Sequence, residues 1–317
     1  MRLRFIFHIG PHKTGTTSIQ RMLFSQSSQG DSTFAYPFSG PESLGQHAFA
    51  LAASKPRDPV FSEMLAALKS FNKTCVLSSE ELCYIPRSAM QLLRNELKNS
   101  DFTIVYYQRN PLELLYSWWQ ETIKHGATHT LLEFAFSCVV RPSHLHLLVP
   151  DALLSAWASV FGRESIRIFL FDRIPDVASQ FASELLNIIS PVGVSEVSNK
   201  SYDCVDCELM RFWNAQGFRG ADIIQSSNYD EMRQMFIDKS APFAASFSLN
   251  YDVGEFQEIE NSMVLNWSDR IDGFSGDRLF EIRDRSYCYI HADVWLAIPG
   301  LIEDMRSYAL ENLDRHR

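Results

Sequence analysis

The chain has 317 residues, 46% of them apolar and 13% aromatic, enough for a substantial core in one large domain or two unequal ones. A net charge of −9 and a pI near 5.5 argue against a nucleic-acid backbone as partner, so any anionic ligand must be met by local positive charge. No apolar run approaches the roughly eighteen residues of a membrane span, and the apolar stretch before Gly10 and Pro11 is too short for a signal-peptide core, so a soluble, cytoplasmic protein is expected.

In chain order, Arg4 to Ile9 reads as a buried strand and Thr17 to Ser25 as a helix. Residues 26–46, rich in Ser, Gln, Gly and Pro, read as a loop. Leu44 to Ser54 and Val60 to Phe71 are expected helices, and Thr74 to Ser78 a short apolar strand ended by Ser79, Glu80 and Glu81. Ser88 to Leu97 has helical apolar spacing. Phe102 to Gln108 is the clearest strand, β-branched and aromatic throughout. It stops at Arg109, Asn110 and Pro111, where Asn110 suits a cap and Pro111 the first position of a helix to about Lys124. Ile166 to Phe171 is another strand, followed by Asp172 and a helix from Asp176 to Ile189.

Strands alternating with helices, without hairpin turns, imply an α/β fold: a central parallel sheet flanked by helices on both faces. Beyond about residue 200 the pattern changes. Cys207 to Ala215, Asp230 to Asp238 and Pro299 to Asn312 read as helices, and residues 239–290 are mixed and polar. The expected organisation is one domain over residues 1–317, with an α/β nucleotide-binding core over 1–200 and a mostly helical C-terminal extension or cap over 201–317.

The six cysteines, Cys75, Cys83, Cys138, Cys204, Cys207 and Cys288, are too scattered for a disulfide framework. Cys204 and Cys207 form a C-x-x-C without the second pair that a zinc site needs, and read as two thiols on a helical turn.

Active sites in parallel α/β sheets lie beyond the C-terminal ends of the strands. Three expected strand ends carry candidates there: Gly10 to Thr17, Ser78 to Glu81, and Arg109. Gly10 to Thr17 reads G-x-x-x-x-G-T-T, the spacing of a phosphate-cradling loop in which Thr16 stands where the usual lysine would be. Lys13 lies inside the turn instead. Such a loop still wraps backbone N–H groups around an anion at a helix N-terminus, but lacks the lysine that reaches the β/γ-phosphates of a nucleoside triphosphate. Arg109 offers a bidentate fork for a second anion.

HIGPHKTGTTSIQ near the N-terminus and YYQRNPLELLYSWWQ about ninety residues later resemble the nucleotide-binding elements of sulfotransferases. That resemblance implies a P-loop-type fold and 3'-phosphoadenosine 5'-phosphosulfate as sulfuryl donor, with adenosine 3',5'-bisphosphate as product and no metal. It implies that His12, Lys13, Thr14, Gly15, Thr16 and Thr17 grip the 5'-phosphosulfate and that Arg109 and Ser117 grip the 3'-phosphate. Lys13 would stabilise the bridging oxygen as charge develops there. The base is expected to be Glu80, as in some carbohydrate sulfotransferases, or His47, since many cytosolic members use histidine; Glu81 follows. His12 could touch donor or acceptor, or simply shape the turn.

Asn199 and Ser201 are a further donor contact or a turn. Trp118, Trp119 and Trp157 read as core, with an acceptor groove as the alternative. The acceptor is expected to be a hydroxyl of a carbohydrate, a glycolipid or a small metabolite, with neither a nucleic acid nor a membrane span involved. The competing readings are a P-loop kinase or NTPase, which the missing lysine disfavours, and a non-catalytic nucleotide-binding scaffold.

Overall fold

The computed structural model describes residues 2–140, 149–191, 202–226, 229–249, 254–276, 278–280, 285–290 and 292–313. The first half runs β1 (Arg4–His8), α1 (Thr16–Ser27), β2 (Phe34–Ala35), α2 (His47–Ala53), α3 (Pro59–Leu68), β3 (Thr74–Ser78), α4 (Arg87–Glu96), β4 (Asp101–Gln108) and α5 (Pro111–Lys124). It continues with α6 (Leu131–Val140), α7 (Pro150–Phe161), β5 (Ile166–Leu170) and α8 (Val177–Leu186). The remainder comprises α9 (Cys204–Ala215), α10 (Gly220–Ile223), α11 (Tyr229–Ser240), β6 (Ala245–Leu249), α12 (Gly254–Trp267), β7 (Arg285–Tyr289), α13 (Ala292–Trp295) and α14 (Leu301–Leu313).

By internal contacts the chain divides into two compact units. The first takes residues 1–114, 142–198 and 254–281, and the second takes 115–141, 199–253 and 282–317. The division does not fall at residue 200: α6 goes with the second unit and α12 with the first.

The first unit is built on a five-stranded sheet in the order β2-β3-β1-β4-β5. Every neighbouring pair is parallel, as the absence of hairpin turns implies. Alternation along β1 sorts its residues to two faces. Ile6 joins Val76, Val105, Tyr107 and Phe169 under Ile19, Met22 and Leu23 of α1 and Phe181 and Leu185 of α8. Phe5 and Phe7 stack with Phe102 on the other face, where Phe7 also meets Trp157 and Phe161 of α7. Burying each of these large side chains contributes about 1.5–3 kcal/mol, which explains why the strands read as unbroken apolar runs. Trp157 is fully buried in this layer, so of its two readings the core one holds.

Local chemistry sets the helix ends. Asp58 caps α3 by accepting from Val60 N at 2.9 Å, with Pro59 at the first position. That helix stops at Leu68, short of the expected Phe71. Asp176 caps α8, which ends at Asn187 in a left-handed conformation rather than running on to Ile189. Two residues of the expected 26–46 loop pair with β3 as β2.

The second unit is mostly helical, with β6 and β7 pairing antiparallel. Trp119 is buried, its Nε1 donating to the His129 carbonyl at 3.0 Å, and Trp118 meets Phe134 edge-on. Asp203 and Asp206 form a capping box at the start of α9. Further along α9, Glu208 and Arg211 make a fully buried ion pair. Arg211 Nε donates to Thr128 O at 3.0 Å, and Ile290 N donates to Glu208 Oε2 at 2.9 Å. Burial pushes the Glu208 carboxyl up, opposed by the adjacent guanidinium. Cys204 and Cys207 lie in the first turn of α9 and form no disulfide. Among the described residues no group of His, Cys, Asp or Glu has a metal-binding arrangement, and no helix is long and apolar enough to cross a membrane.

Candidate functional site

All site residues described here lie in the first unit, apart from Ser117. Because β1 is central, its C-terminal end lies between those of β3 and β4. The ladder continues past the strand: Ile9 N donates to Val105 O at 3.0 Å, Ser79 N to His8 O at 3.2 Å, and Tyr107 N to Gly10 O at 3.2 Å. The loop from Gly10 is therefore held on both sides before it turns into α1.

The turn is made by Gly10, Lys13 and Gly15, all with positive φ. Gly15 caps α1 with φ 75° and contributes no side-chain bond, and the first turn of the helix carries no acidic residue. The first N–H groups of such a helix lack intrahelical acceptors and carry the positive end of its dipole. A Cβ on Gly15 would lie 2.4 Å from Val177 Cγ2, so the loop packs directly on the start of α8. Thr14 is buried, and its hydroxyl donates to the Pro11 carbonyl at 2.7 Å. That bond ties the turn together, so the Thr14 side chain serves the loop's shape. Thr16 is buried at the start of α1, Thr17 is exposed beside it, and Lys13 is half-buried at the turn's apex.

Arg109 closes the loop from the β4 side. Its Nη1 donates to the Lys13 carbonyl at 2.7 Å, its Nε lies 3.7 Å from Asp172 Oδ1, and its guanidinium stacks over Phe171 at 5.2 Å. Asp172 also accepts from Asn110 N at 2.8 Å through Oδ2. The Asn110 side chain then caps α5 by accepting from Leu112 N at 2.9 Å. Ser117 is half-buried in the second turn of α5 and belongs to the second unit.

The β3 side supplies carboxylates and imidazoles. Glu80 follows β3 in the 3-10 turn Glu80–Tyr84, and its Cα would lie 3.1 Å from a Cβ on Gly10. Its Oε2 accepts from Gln20 Nε2 at 3.0 Å, and its Oε1 lies 3.9 Å from His12 Nδ1. His12 Nε2 is 3.6 Å from Glu81 Oε1. Burial above all lowers the His12 pKa, opposed by the two carboxylates, so a neutral imidazole stands between them at neutral pH. Glu81 is the more exposed carboxylate, at 47% against 17% for Glu80.

His47 opens α2, and its Nδ1 is 2.9 Å from Ser79 Oγ, which also accepts from Glu81 N at 3.2 Å. The preceding Gln46 imitates a strand neighbour. It accepts from Ser78 N at 2.6 Å through Oε1 and donates its own N–H to Ser78 O at 3.0 Å. Beneath this cluster His8 is fully buried, with Nδ1 2.8 Å from Ser78 Oγ. Burial lowers its pKa to about 4, which keeps it neutral.

Of the residues expected from sequence, His12, Lys13, Thr14, Gly15, Thr16 and Thr17 share one turn, Arg109 bonds to it, and Glu80, Glu81 and His47 line its β3 side. Asn199 and Ser201 lie outside the described residues. Gln20 and Asp172 were not expected, and Ser79, inside the expected Ser78 to Glu81 stretch, carried no role of its own. Asp172 carried a signal, since it ends a strand at the same sheet edge. Gln20 carried none beyond proximity to the motifs.

Residues 4–146 match the family model of the sulfotransferase domain. No protein of curated function matches the sequence. Among solved structures, a sulfotransferase from Alicyclobacillus acidocaldarius is similar at 16% identity and a TM-score of 0.39, over 71% of this chain and 96% of that one.

Proposed function

We propose, for a chain that belongs through residues 4–146 to the sulfotransferase family, transfer of a sulfuryl group from 3'-phosphoadenosine 5'-phosphosulfate to an acceptor hydroxyl. The observation that carries this reading is the meeting of three strand ends on one loop: Arg109 bonded to Lys13, and Glu80 packed on Gly10. A donor with phosphate at both ends of an adenosine needs two anion sites. The turn and helix start at Gly10 to Thr17 suit the 5'-phosphosulfate, and Arg109 suits the 3'-phosphate. The residues fit this co-substrate without a metal.

In the proposed step the acceptor oxygen attacks sulfur and gives its proton to Glu80. The bond from sulfur to the bridging oxygen breaks, and adenosine 3',5'-bisphosphate leaves. The Lys13 ammonium offsets the charge that develops on the bridging oxygen. Gln20 orients the Glu80 carboxylate as the base. Ser79 bears on His47: its hydroxyl accepts from Glu81 N and lies 2.9 Å from Nδ1, and the tautomer in which it gives its hydrogen to Nδ1 disfavours the imidazole as base. The hydrogen then sits on Nε2, where a base needs a lone pair. The acceptor is the hydroxyl of a carbohydrate, a glycolipid or a small metabolite, and both compact units form one enzyme acting in the cytoplasm.

The test is thermal stability with adenosine 3',5'-bisphosphate against ATP plus magnesium. A ligand at about 100 times its dissociation constant adds about 2.7 kcal/mol to the folded state. Stabilisation by the bisphosphate alone is expected. Stabilisation by ATP–magnesium alone would replace this reading with a kinase, and a shift with neither would favour a non-catalytic scaffold.

A further inference from the structure

A groove of about 610 Å³ in the first unit has Lys55 and Arg57 along one side and one face of α4 along the other. Ser88, Gln91 and Asn95 recur at helical spacing on that face. No acidic residue lines the groove, in a chain of net charge −9. The acidic side chains nearest in sequence are engaged elsewhere: Asp58 caps α3 and Glu96 pairs with Lys69. The groove thus combines two cations, a hydroxyl and two amides with the apolar side chains of Pro56 and Leu92.

Its position ties it to the site. His47 opens α2 and Lys55 follows the end of the same helix, so the two lie about 12 Å apart along it at a rise of about 1.5 Å per residue. α4 follows directly on the turn that carries Glu80. Both walls of the groove therefore start at the sheet edge that bears the candidate base.

We infer that this groove binds an anionic oligosaccharide, the non-reacting part of the acceptor. Lys55 and Arg57 meet its carboxylate or sulfate groups, and Ser88, Gln91 and Asn95 bond its hydroxyls. The inference rests on the sulfotransferase reading for the word acceptor, but not for binding. An acidic acceptor is then compatible with an acidic protein, because the positive charge is local.

The experiment is calorimetric titration of the full chain with hexagalacturonate, a chondroitin sulfate hexasaccharide, maltohexaose and hexaglutamate, repeated with the Lys55→Glu/Arg57→Glu variant. Both substitutions are on exposed side chains. At least one anionic saccharide should bind, more weakly as salt rises, and maltohexaose should bind less well. The double variant should lose about tenfold in affinity, as two exposed charge contacts imply, while keeping the wild-type melting temperature and stabilisation by adenosine 3',5'-bisphosphate. The inference is overturned by binding to neither anionic saccharide, by equal binding of maltohexaose, by unchanged affinity in the double variant, or by hexaglutamate binding as tightly. Saccharide binding without any response to the bisphosphate would keep the groove and remove the sulfotransferase reading. The reverse result would keep that reading and remove the groove.

Discussion

Arg109 Nη1 donates to the backbone carbonyl of Lys13 at 2.7 Å, so the residue proposed for the 3'-phosphate also holds the loop proposed for the 5'-phosphosulfate. Replacing it should affect both. Arg109→Ala is expected to weaken bisphosphate binding about 10–100-fold, and Arg109→Lys should recover only part of this, because an ammonium lacks the planar fork. Calorimetry with adenosine 3',5'-bisphosphate measures it, and an unchanged dissociation constant in Arg109→Ala would remove Arg109 from the donor site.

Glu80→Gln keeps the size of the side chain and removes its basicity. Turnover should fall by about 10²–10⁴-fold with donor affinity unchanged. Gln20→Ala, which deprives the Glu80 carboxylate of its 3.0 Å partner, should lower turnover by a smaller factor. His47→Asn should do little. A large loss in His47→Asn beside normal turnover in Glu80→Gln would transfer the base to the imidazole.

Gly15→Ala meets two obstacles, a φ of 75° and a Cβ 2.4 Å from Val177 Cγ2. Together they should cost about 1–3 kcal/mol of stability. Pairing it with Val177→Ala should relieve the contact and leave the backbone strain, so chemical denaturation should find the double variant between Gly15→Ala and the Val177→Ala single variant. Full recovery would mean that backbone conformation contributes nothing there.

His8 provides a pH dependence with a definite sign. Its folded pKa is depressed to about 4 by burial, below the unfolded value near 6.5. Above about pH 6.5 neither state binds the proton and the group is silent. As pH falls toward 4 the unfolded state takes up the proton and the folded state does not, so stability is lost over that window, by about 2 kcal/mol at pH 5. His8→Asn should flatten this part of the curve. Urea denaturation at pH 7 and pH 5 measures it, and an identical pH slope in the variant would contradict the assignment.

In the second unit, Glu208→Ala leaves the Arg211 guanidinium buried without its carboxylate. A loss of about 3–5 kcal/mol is expected, whereas Glu208→Leu with Arg211→Met should cost much less. Comparing the unfolding free energies of the two variants tests whether the pair contributes stability or only forbids its own disruption.

The sheet was legible because each of its longer strands is a run of large apolar residues with no competing helical spacing. Arg4 to His8, Thr74 to Ser78 and Asp101 to Gln108 fall within a residue of where composition places them. The two-residue β2 offered no such run. α6 and α7 were not read although both carried end signals: Thr130 and Glu133 bond reciprocally before α6, and Pro150 opens and Gly162 closes α7. β6 and β7 lie in a segment whose polar character obscures alternation. At the site, the motifs named the turn and Arg109, but not what holds them. Gln20 reaches Glu80 across 60 residues and Arg109 reaches Lys13 across 96, and nothing in local sequence encodes contacts at that separation. Gly10 was read as a turn residue, yet its missing side chain also makes room for Glu80, which only the folded sheet reveals.

The strand order β3-β1-β4 has a consequence for the reaction path. Neighbouring strands lie about 4.8 Å apart, so Glu80 and Arg109 stand about 10 Å apart on opposite flanks of the loop between them. An in-line displacement needs its attacking and departing oxygens on opposite sides of the atom transferred. On the proposed reading the attacking oxygen would arrive from the β3 flank, while the sulfuryl group and the 5'-phosphate it leaves lie over the loop that follows β1. The order of strands would then set the side from which the acceptor approaches: a change of side chain would alter the rate, and only a different order would move the base to another flank.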